Sequence, residues 1–207
     1  SSATVNFRIW LLDDEDNETV VTLDTEGIDY QADGDLSNLY QKELVLGWNW
    51  FSLNVILGNP ITMEEMTLND IFENTIVSNL DNIKSQTQAS TYYESGGGQW
   101  YPNFDMNVET HYQFNSTLGG EIVYYGDYLE PSENPIEILS GWNWIGFCPP
   151  YLLNVNTATS SLSLEPSDYI KNQLSAATYY EGYGWYPVFD MKPTEGYMLQ
   201  IVNSGVL

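Results

Sequence analysis

The sequence contains one cysteine, Cys148, and one histidine, His111, among 207 residues. A single cysteine excludes an intrachain disulfide, and the pair leaves no Cys/His cluster for zinc. A Cys–His nucleophile would require these two residues to meet, whereas a lone cysteine is more often a small buried apolar residue. No apolar run approaches the roughly 20 residues that a membrane-spanning helix needs.

Basic residues are also scarce. The chain has 5 Lys and Arg against 29 Asp and Glu, for a net charge of -24. Such a chain repels phosphate backbones and anionic lipid, so we expect no nucleic-acid partner and no membrane insertion. With 43% hydrophobic and 14% aromatic residues it can still build a core. We expect a monomeric fragment of a larger chain, starting at Ser1.

What the sequence does contain is an internal repeat. Four blocks recur in the same order, and the offset between the copies falls from 94 to 87 to 85 residues. The paired blocks are 47–51 with 141–145, 81–86 with 168–173, 91–94 with 178–181, and 100–106 with 185–191. Chance similarity would not preserve this order, so the repeat indicates a duplication.

The repeated blocks predict an all-β fold. Apolar and aromatic alternation predicts strands over 44–55, 89–93 and 100–104, with a glycine-rich hairpin turn between the last two. One short helix per repeat at most is predicted, between Thr62 and Leu80 with Thr62 and Glu65 as a capping box, and less clearly over 154–164. We therefore expect two tandem, duplicated β-sandwich or barrel-like modules, residues 1–117 and 118–207. If each borrows a strand from its neighbour, they pack tightly.

The order of these motifs resembles a known type of module. The motifs that carry the resemblance are Gly141-Trp-Asn-Trp-Ile-Gly, Asp168-x-Ile-Lys-x-Gln, Tyr179-Tyr and Pro193-x-x-Gly-Tyr-Met-Leu. The second copy resembles a tandem β repeat of large secreted or surface, adhesin-like proteins of marine or Bacteroidetes-like microbes. The first copy departs from the last motif at Glu109, Thr110 and His111. The resemblance implies an extracellular setting and adhesion, display or ligand binding, and it implies no reaction.

Aromatic residues are the first candidates for a binding site, because exposed rings stack on sugar rings. The chain has 7 Trp and 16 Tyr. The alternative is packing, because neighbouring residues of a strand point to opposite faces. We expect Trp48, Trp50, Trp142 and Trp144 to be packing residues. The candidate ligand-binding residues are Tyr92, Tyr93, Trp100, Tyr101, Tyr179, Tyr180, Tyr183, Trp185 and Tyr186.

Acidic loops are the second candidates. Asp13, Asp14, Asp16 and Glu18 lie between two strand-like runs, where several carboxylates could converge on Ca²⁺. The spacing is not that of an EF-hand loop, and a solvated acidic turn explains it equally. Asp29, Asp33 and Asp35 around Gly34 form a similar group.

Two of the four lysines occupy equivalent repeat positions, Lys84 and Lys171, three residues after Asp81 and Asp168. We expect a structural role for them, in a charge pair or with the lysine stem packed on tyrosine.

Three functions remain open. We expect a non-catalytic module that binds a glycan or another cell-surface ligand, with Ca²⁺ as a candidate cofactor. A structural spacer or display repeat is the alternative. A polysaccharide hydrolase is less favoured, because an active site needs one asymmetric constellation, whereas binding and spacer modules can be repeated; catalytic motifs such as the P-loop are absent.

Overall fold

The chain forms two compact units, residues 1–36 and 37–207. In the first unit, strands β1 (Arg8–Leu12) and β2 (Glu18–Thr22) form an antiparallel hairpin with Arg8 opposite Thr22. This structure is a computed structural model, and it describes residues 8–12, 18–22, 38–56, 66–95, 97–128 and 131–207.

The first repeat copy is built on a five-stranded antiparallel sheet. Its strands in chain order are β3 (Asn38–Leu44), β4 (Gly47–Ser52), β5 (Val55–Ile56), β6 (Asn82–Lys84), β7 (Ala89–Tyr93), β8 (Gln99–Tyr101), β9 (His111–Ser116) and β10 (Gly120–Tyr128). The five-stranded sheet has the order β4-β9-β6-β7-β8, and β10 pairs with both β3 and β5. The strand expected over 44–55 therefore divides among three strands, with turns between them.

The second copy repeats this plan. Its strands are β11 (Glu137–Ile138), β12 (Gly141–Ile145), β13 (Leu153–Asn154), β14 (Tyr169–Lys171), β15 (Ala176–Tyr180), β16 (Gly184–Tyr186), β17 (Asp190–Met191), β18 (Tyr197–Ile201) and β19 (Gly205–Val206). Five of them form an antiparallel sheet in the equivalent order β12-β18-β14-β15-β16. The predicted all-β, duplicated fold is confirmed.

The pairing register is also duplicated. Trp48 lies opposite Asn115 between β4 and β9, and Trp142 lies opposite Gln200 between β12 and β18. The β3–β10 pairing sets Glu43 opposite Glu121, and the β11–β19 pairing sets Glu137 opposite Val206 at the same repeat position. A one-residue slip would send every side chain to the wrong face, so a shared register means shared inner and outer faces.

Each copy has one single-turn helix, α1 (Leu68–Ile71) and α2 (Val155–Ala158). The capping box of α1 uses Thr67 and Asp70, whose carboxylate accepts a hydrogen bond from the Thr67 backbone N–H at 2.9 Å. The predicted box at Thr62 and Glu65 lies outside the described residues. Within the described ranges, neither helix is long and apolar enough to span a bilayer.

Two apolar cores lie under the inner faces of the sheets. The first includes Phe51, Ile83 and Phe114, and the second includes Ile145, Ile170 and Leu199. Strand alternation explains this, because these residues lie on the same side of three adjacent strands in each copy.

Strand β10 begins after residue 117, yet its Ile122 and Tyr124 pack in the first core. The Tyr124 ring stacks on Tyr40 with centroids 4.7 Å apart. The division into folding units at 117/118 stays a prediction, and the described part of 37–207 forms one compact unit.

A buried aspartate closes the turn before β6 and before β14. Asp81 accepts hydrogen bonds from the backbone N–H groups of Ser78 at 2.8 Å and Thr117 at 2.9 Å. Asp168 accepts from Glu165 at 2.8 Å and Val202 at 2.9 Å. Both carboxylates thus serve as acceptors for backbone N–H groups.

Candidate functional site

The nine aromatic candidates fall into two groups, because alternate residues of a strand point to opposite faces of the sheet. Trp100 and Trp185 are 2% and 1% exposed, and Trp185 donates its indole N–H to Thr159 Oγ1 at 2.8 Å. Tyr92 and Tyr179 pack edge-on against these tryptophans, at centroid distances of 5.5 and 5.7 Å. These four residues belong to the core faces, so the prediction that they form the binding surface is corrected.

The other five candidates lie on the outer side. Tyr101 is 70% exposed and Tyr186, its repeat counterpart, is 69% exposed. Tyr93 and Tyr180 are a second equivalent pair, also exposed. Tyr183 at the second hairpin tip is 90% exposed. Exposed tyrosines therefore recur at the same places in both copies.

In the first copy, Tyr101 ends a row of side chains that crosses the whole outer face of the sheet. The strand registers bring one residue from each of the five strands into line. The row is Trp48, Asn115, Asn82, Thr91 and Tyr101. With strands about 4.8 Å apart, it spans about 19 Å from Trp48 to Tyr101.

The second copy has the equivalent row. The registers align Trp142, Gln200, Tyr169, Thr178 and Tyr186. Trp48 and Trp142 are each 42% exposed, so the prediction that all four signature tryptophans are packing residues is wrong for these two. Each outer row has an aromatic ring at both ends, and between the two rings lie side chains that are able to donate and accept hydrogen bonds. This arrangement suits an extended ligand with hydroxyl groups.

The adjacent row on each sheet is the place where the two copies meet. Gln113 on β9 donates to the sulfur of Met198 on β18 at 4.0 Å. The Lys84 ammonium lies 4.7 Å from the Trp48 ring centroid and 5.9 Å from that of Trp144. The Lys171 ammonium lies 5.5 Å from Trp142 and 5.6 Å from Trp50.

Each of these lysines thus bridges a tryptophan of its own copy and one of the other copy. A cation over an indole face is attracted to it, more strongly where water is partly excluded. The sequence predicts either a charge pair or a stem packed on tyrosine for these lysines, whereas in the structure their ammonium groups lie over tryptophan rings.

His111 lies between the copies. Its ring stacks at 4.7 Å from Trp50 and 4.9 Å from Trp144, and Nδ1 lies 3.1 Å from the carbonyl oxygen of Tyr197. The repeat counterpart of His111 is Gly196, where a Cβ would come within 2.7 Å of the His111 ring. The junction therefore has space for one ring at this level, and the two copies differ there for a steric reason.

The junction also closes the open edges of the signature strands. Gln173 donates through Nε2 to the Trp48 carbonyl at 2.7 Å and accepts the Trp50 N–H at 2.8 Å. Gln86 makes the same two bonds to Trp142 and Trp144, at 2.8 Å each. We call these reciprocal contacts the glutamine clamps.

The clamps were missed by the sequence reasoning, although both glutamines stand in the repeated Asp-x-Ile-Lys-x-Gln block. The sequence does contain one indication of the clamps, because a polar lysine and a polar glutamine stand two residues apart in both copies. Two further backbone bonds hold the junction, from Ser52 N–H to Thr194 O at 3.2 Å and from Gly146 N–H to Glu109 O at 2.7 Å.

The remaining candidates lie elsewhere. Asp13, Asp14 and Asp16 fall outside the described residues, as do Asp29, Asp33 and Asp35; Glu18 begins β2. Across the described ranges, no group of three or more His, Cys, Asp or Glu side chains is arranged to hold a metal ion. Cys148 is buried in the first core, and burial raises the pKa of its thiol, opposite to what a reactive thiolate needs.

Comparisons of the chain with protein-family models, with curated proteins and with solved structures find no match. The resemblance to adhesin-like repeats stays a prediction.

The buried His111 gives a pH dependence. Burial lowers its pKa from 6.5 to about 3, so the folded protein keeps the ring neutral where the unfolded chain takes up a proton. The free energy of unfolding is therefore at its full value above the pKa of His111 in the unfolded chain, and it decreases as the pH falls below that pKa. Between about pH 7.5 and pH 5, the free energy of unfolding should fall by about 2 kcal/mol more in the wild type than in His111→Gln. Urea unfolding at each pH measures this; equal slopes in the two proteins would contradict it.

The glutamine clamps give a second expectation. Gln86→Ala and Gln173→Ala should each lower the free energy of unfolding by about 1–2 kcal/mol, because each removes two hydrogen bonds at a water-accessible edge. Gln88→Ala is the matched control, since Gln88 is exposed in the same turn as Gln86 and only its backbone takes part in the recorded bonds. Chemical denaturation provides the measurement, and a clamp variant as stable as Gln88→Ala would refute the contribution.

Proposed function

We propose that this protein is a non-catalytic, extracellular binding module that takes a neutral glycan chain on its two outer rows. The observation that supports the proposal most directly is the repetition of solvent-exposed rings at equivalent places, with Tyr101 and Tyr186 exposed at one end and Trp48 and Trp142 at the other. A duplicated row suits a repeating polymer, because two equivalent sites can each take the same repeating unit.

The chemistry between the rings favours a sugar. The apolar faces of sugar rings stack on aromatic side chains, and the hydroxyl groups both donate and accept hydrogen bonds. In the first row the partners are Asn115, Asn82 and Thr91, which are all half-buried and held on rigid strands. The net charge of -24 disfavours an anionic polysaccharide, so a neutral one is proposed.

A structural display function is the second candidate, and a different observation favours it. The lysine–tryptophan contacts, His111 and the two clamps join the copies into one compact unit, as a rigid spacer requires. A spacer, however, has no use for exposed tyrosines at matching positions.

Removal of the row tyrosines distinguishes the two functions. The Tyr101→Ala, Tyr186→Ala double variant should bind neutral oligosaccharides about tenfold more weakly at each row, from about 1.4 kcal/mol per lost ring. Tyr151→Ala is the control, because Tyr151 is exposed but lies in neither row. Glycan arrays followed by calorimetric titration measure the effect.

A folded wild-type protein that binds no neutral glycan on a broad array would favour the display function. Unchanged binding by the double variant would mean that the rows are not the site. Trp185→Ala is unsuitable as a probe, because it would open a cavity in the second core.

Calcium stays part of the proposal for the acidic loop at Asp13–Glu18, where a bound cation would offset the repulsion among carboxylates. Millimolar Ca²⁺ should raise the melting temperature. An unchanged melting temperature would remove the ion from the account.

A further inference from the structure

A crevice lies at the junction, where the turn between β14 and β15 meets the edge of β4. Its volume is about 200 Å³. The residues that line it and carry the argument are Lys42, Trp50, Asn172, Gln173 and Glu195. It is distinct from the outer rows, which lie on the open part of each sheet.

The repeat provides an internal reference for this crevice. The two-fold plan of the junction creates an equivalent position on the other side, where Gln86 clamps β12 beside Trp144. The tryptophan and glutamine are kept there, but the charged and amide residues are not. The differences are Lys42 against Ile136, Asn172 against Ser85, and Glu195 against Thr110.

The lysine is placed in an unusual environment. Among the described residues, the Lys42 ammonium makes no hydrogen bond and no ion pair, although the group is largely removed from water. Burial lowers the pKa of Lys42 and the nearby charge of Lys192 lowers it further, while the carboxylates of Glu195 and Glu43 oppose that shift. A half-buried ammonium with no direct partner among the described residues has its N–H donors available for a ligand.

Glu195 is held in place by its neighbours. Its Oε2 accepts hydrogen bonds from Asn172 Nδ2 at 2.6 Å and from the Tyr197 hydroxyl at 3.1 Å. Within the described part of the chain no bond to its Oε1 is recorded. The crevice therefore combines a fixed acceptor, a charged donor and the indole of Trp50.

We propose that this crevice binds a single neutral sugar residue, with hydroxyl groups accepting from Lys42 and donating to Glu195 and with the apolar ring face on Trp50. An anion would face two carboxylates and a cation would face the ammonium, whereas a polyol can satisfy both charges at once. The inference rests on the proposed function for its class of ligand, and it adds a third, asymmetric site between the copies.

The test uses glucose, galactose, mannose and N-acetylglucosamine as probes with the ¹⁵N-labelled full chain. At least one sugar should produce a saturable shift of the Trp50 indole and the Asn172 and Gln173 side-chain amide signals. Lys42→Met should weaken this binding by about tenfold or more, because a charged hydrogen bond is lost. Lys192→Met removes a positive charge near Lys42 from an exposed residue that does not line the crevice, so it controls for the loss of local charge without the loss of the donor, and it should change binding by less than about twofold.

Absence of a shift with all four sugars would overturn the inference, as would equal effects of Lys42→Met and Lys192→Met. The Tyr101→Ala, Tyr186→Ala variant separates the two proposals. If it keeps the crevice shifts, a failure of row binding leaves the crevice standing. If oligosaccharides bind the rows while Trp50 stays silent, the crevice alone is refuted.

Discussion

The structure depends on how the open edge of each signature strand is satisfied. β4 and β12 each form the edge of a five-stranded sheet, and an unpaired edge exposes backbone N–H and C=O groups that attract other chains. Each edge is closed by a glutamine amide of the other copy, which offers one donor and one acceptor with the spacing of a neighbouring strand. The duplication thereby satisfies the exposed backbone groups of both edge strands through one symmetric contact.

The two copies must differ at the centre of the junction, because equivalent side chains would meet there. Two histidine rings would not fit between Trp50 and Trp144, so one copy carries His111 and the other carries Gly196. Once the two copies are distinguishable, residues around the junction can diverge, as Lys42 and Ile136 do. The outer rows remain nearly equivalent, because the glutamine of the other copy bonds the tryptophan backbone at the end of each row in the same way. The duplicated outer rows thus suit a ligand contact that is made twice, and the junction suits a contact that is made once.

Much of the fold could be predicted from local patterns. The hairpin of β7 and β8 follows from period-two alternation and turn chemistry, and the order of the repeated blocks indicates the duplication. Alternation also predicts that Trp100 and Tyr101 face opposite sides, but not which one faces the core. That choice depends on packing against Phe72 and Phe114, which are distant in the sequence.

The junction was beyond local reasoning for the same reason. Gln86 lies 56 residues from Trp142, and no periodicity links a turn glutamine to a remote strand edge. Lysine scarcity did mark Lys84 and Lys171 as special, yet their tryptophan partners come from both copies. The capping box of α1 at Thr67 and Asp70 has the same spacing as the box predicted at Thr62 and Glu65, so spacing alone does not single out one of them.

We infer that the junction makes the two copies one cooperative folding unit. Differential scanning calorimetry tests it most directly, with unfolding followed in parallel by the NMR signals of β9 and β18. We predict that both sets of signals disappear in one transition, with equal calorimetric and van't Hoff enthalpies for residues 37–207. Two separate transitions, one for each copy, would contradict the account.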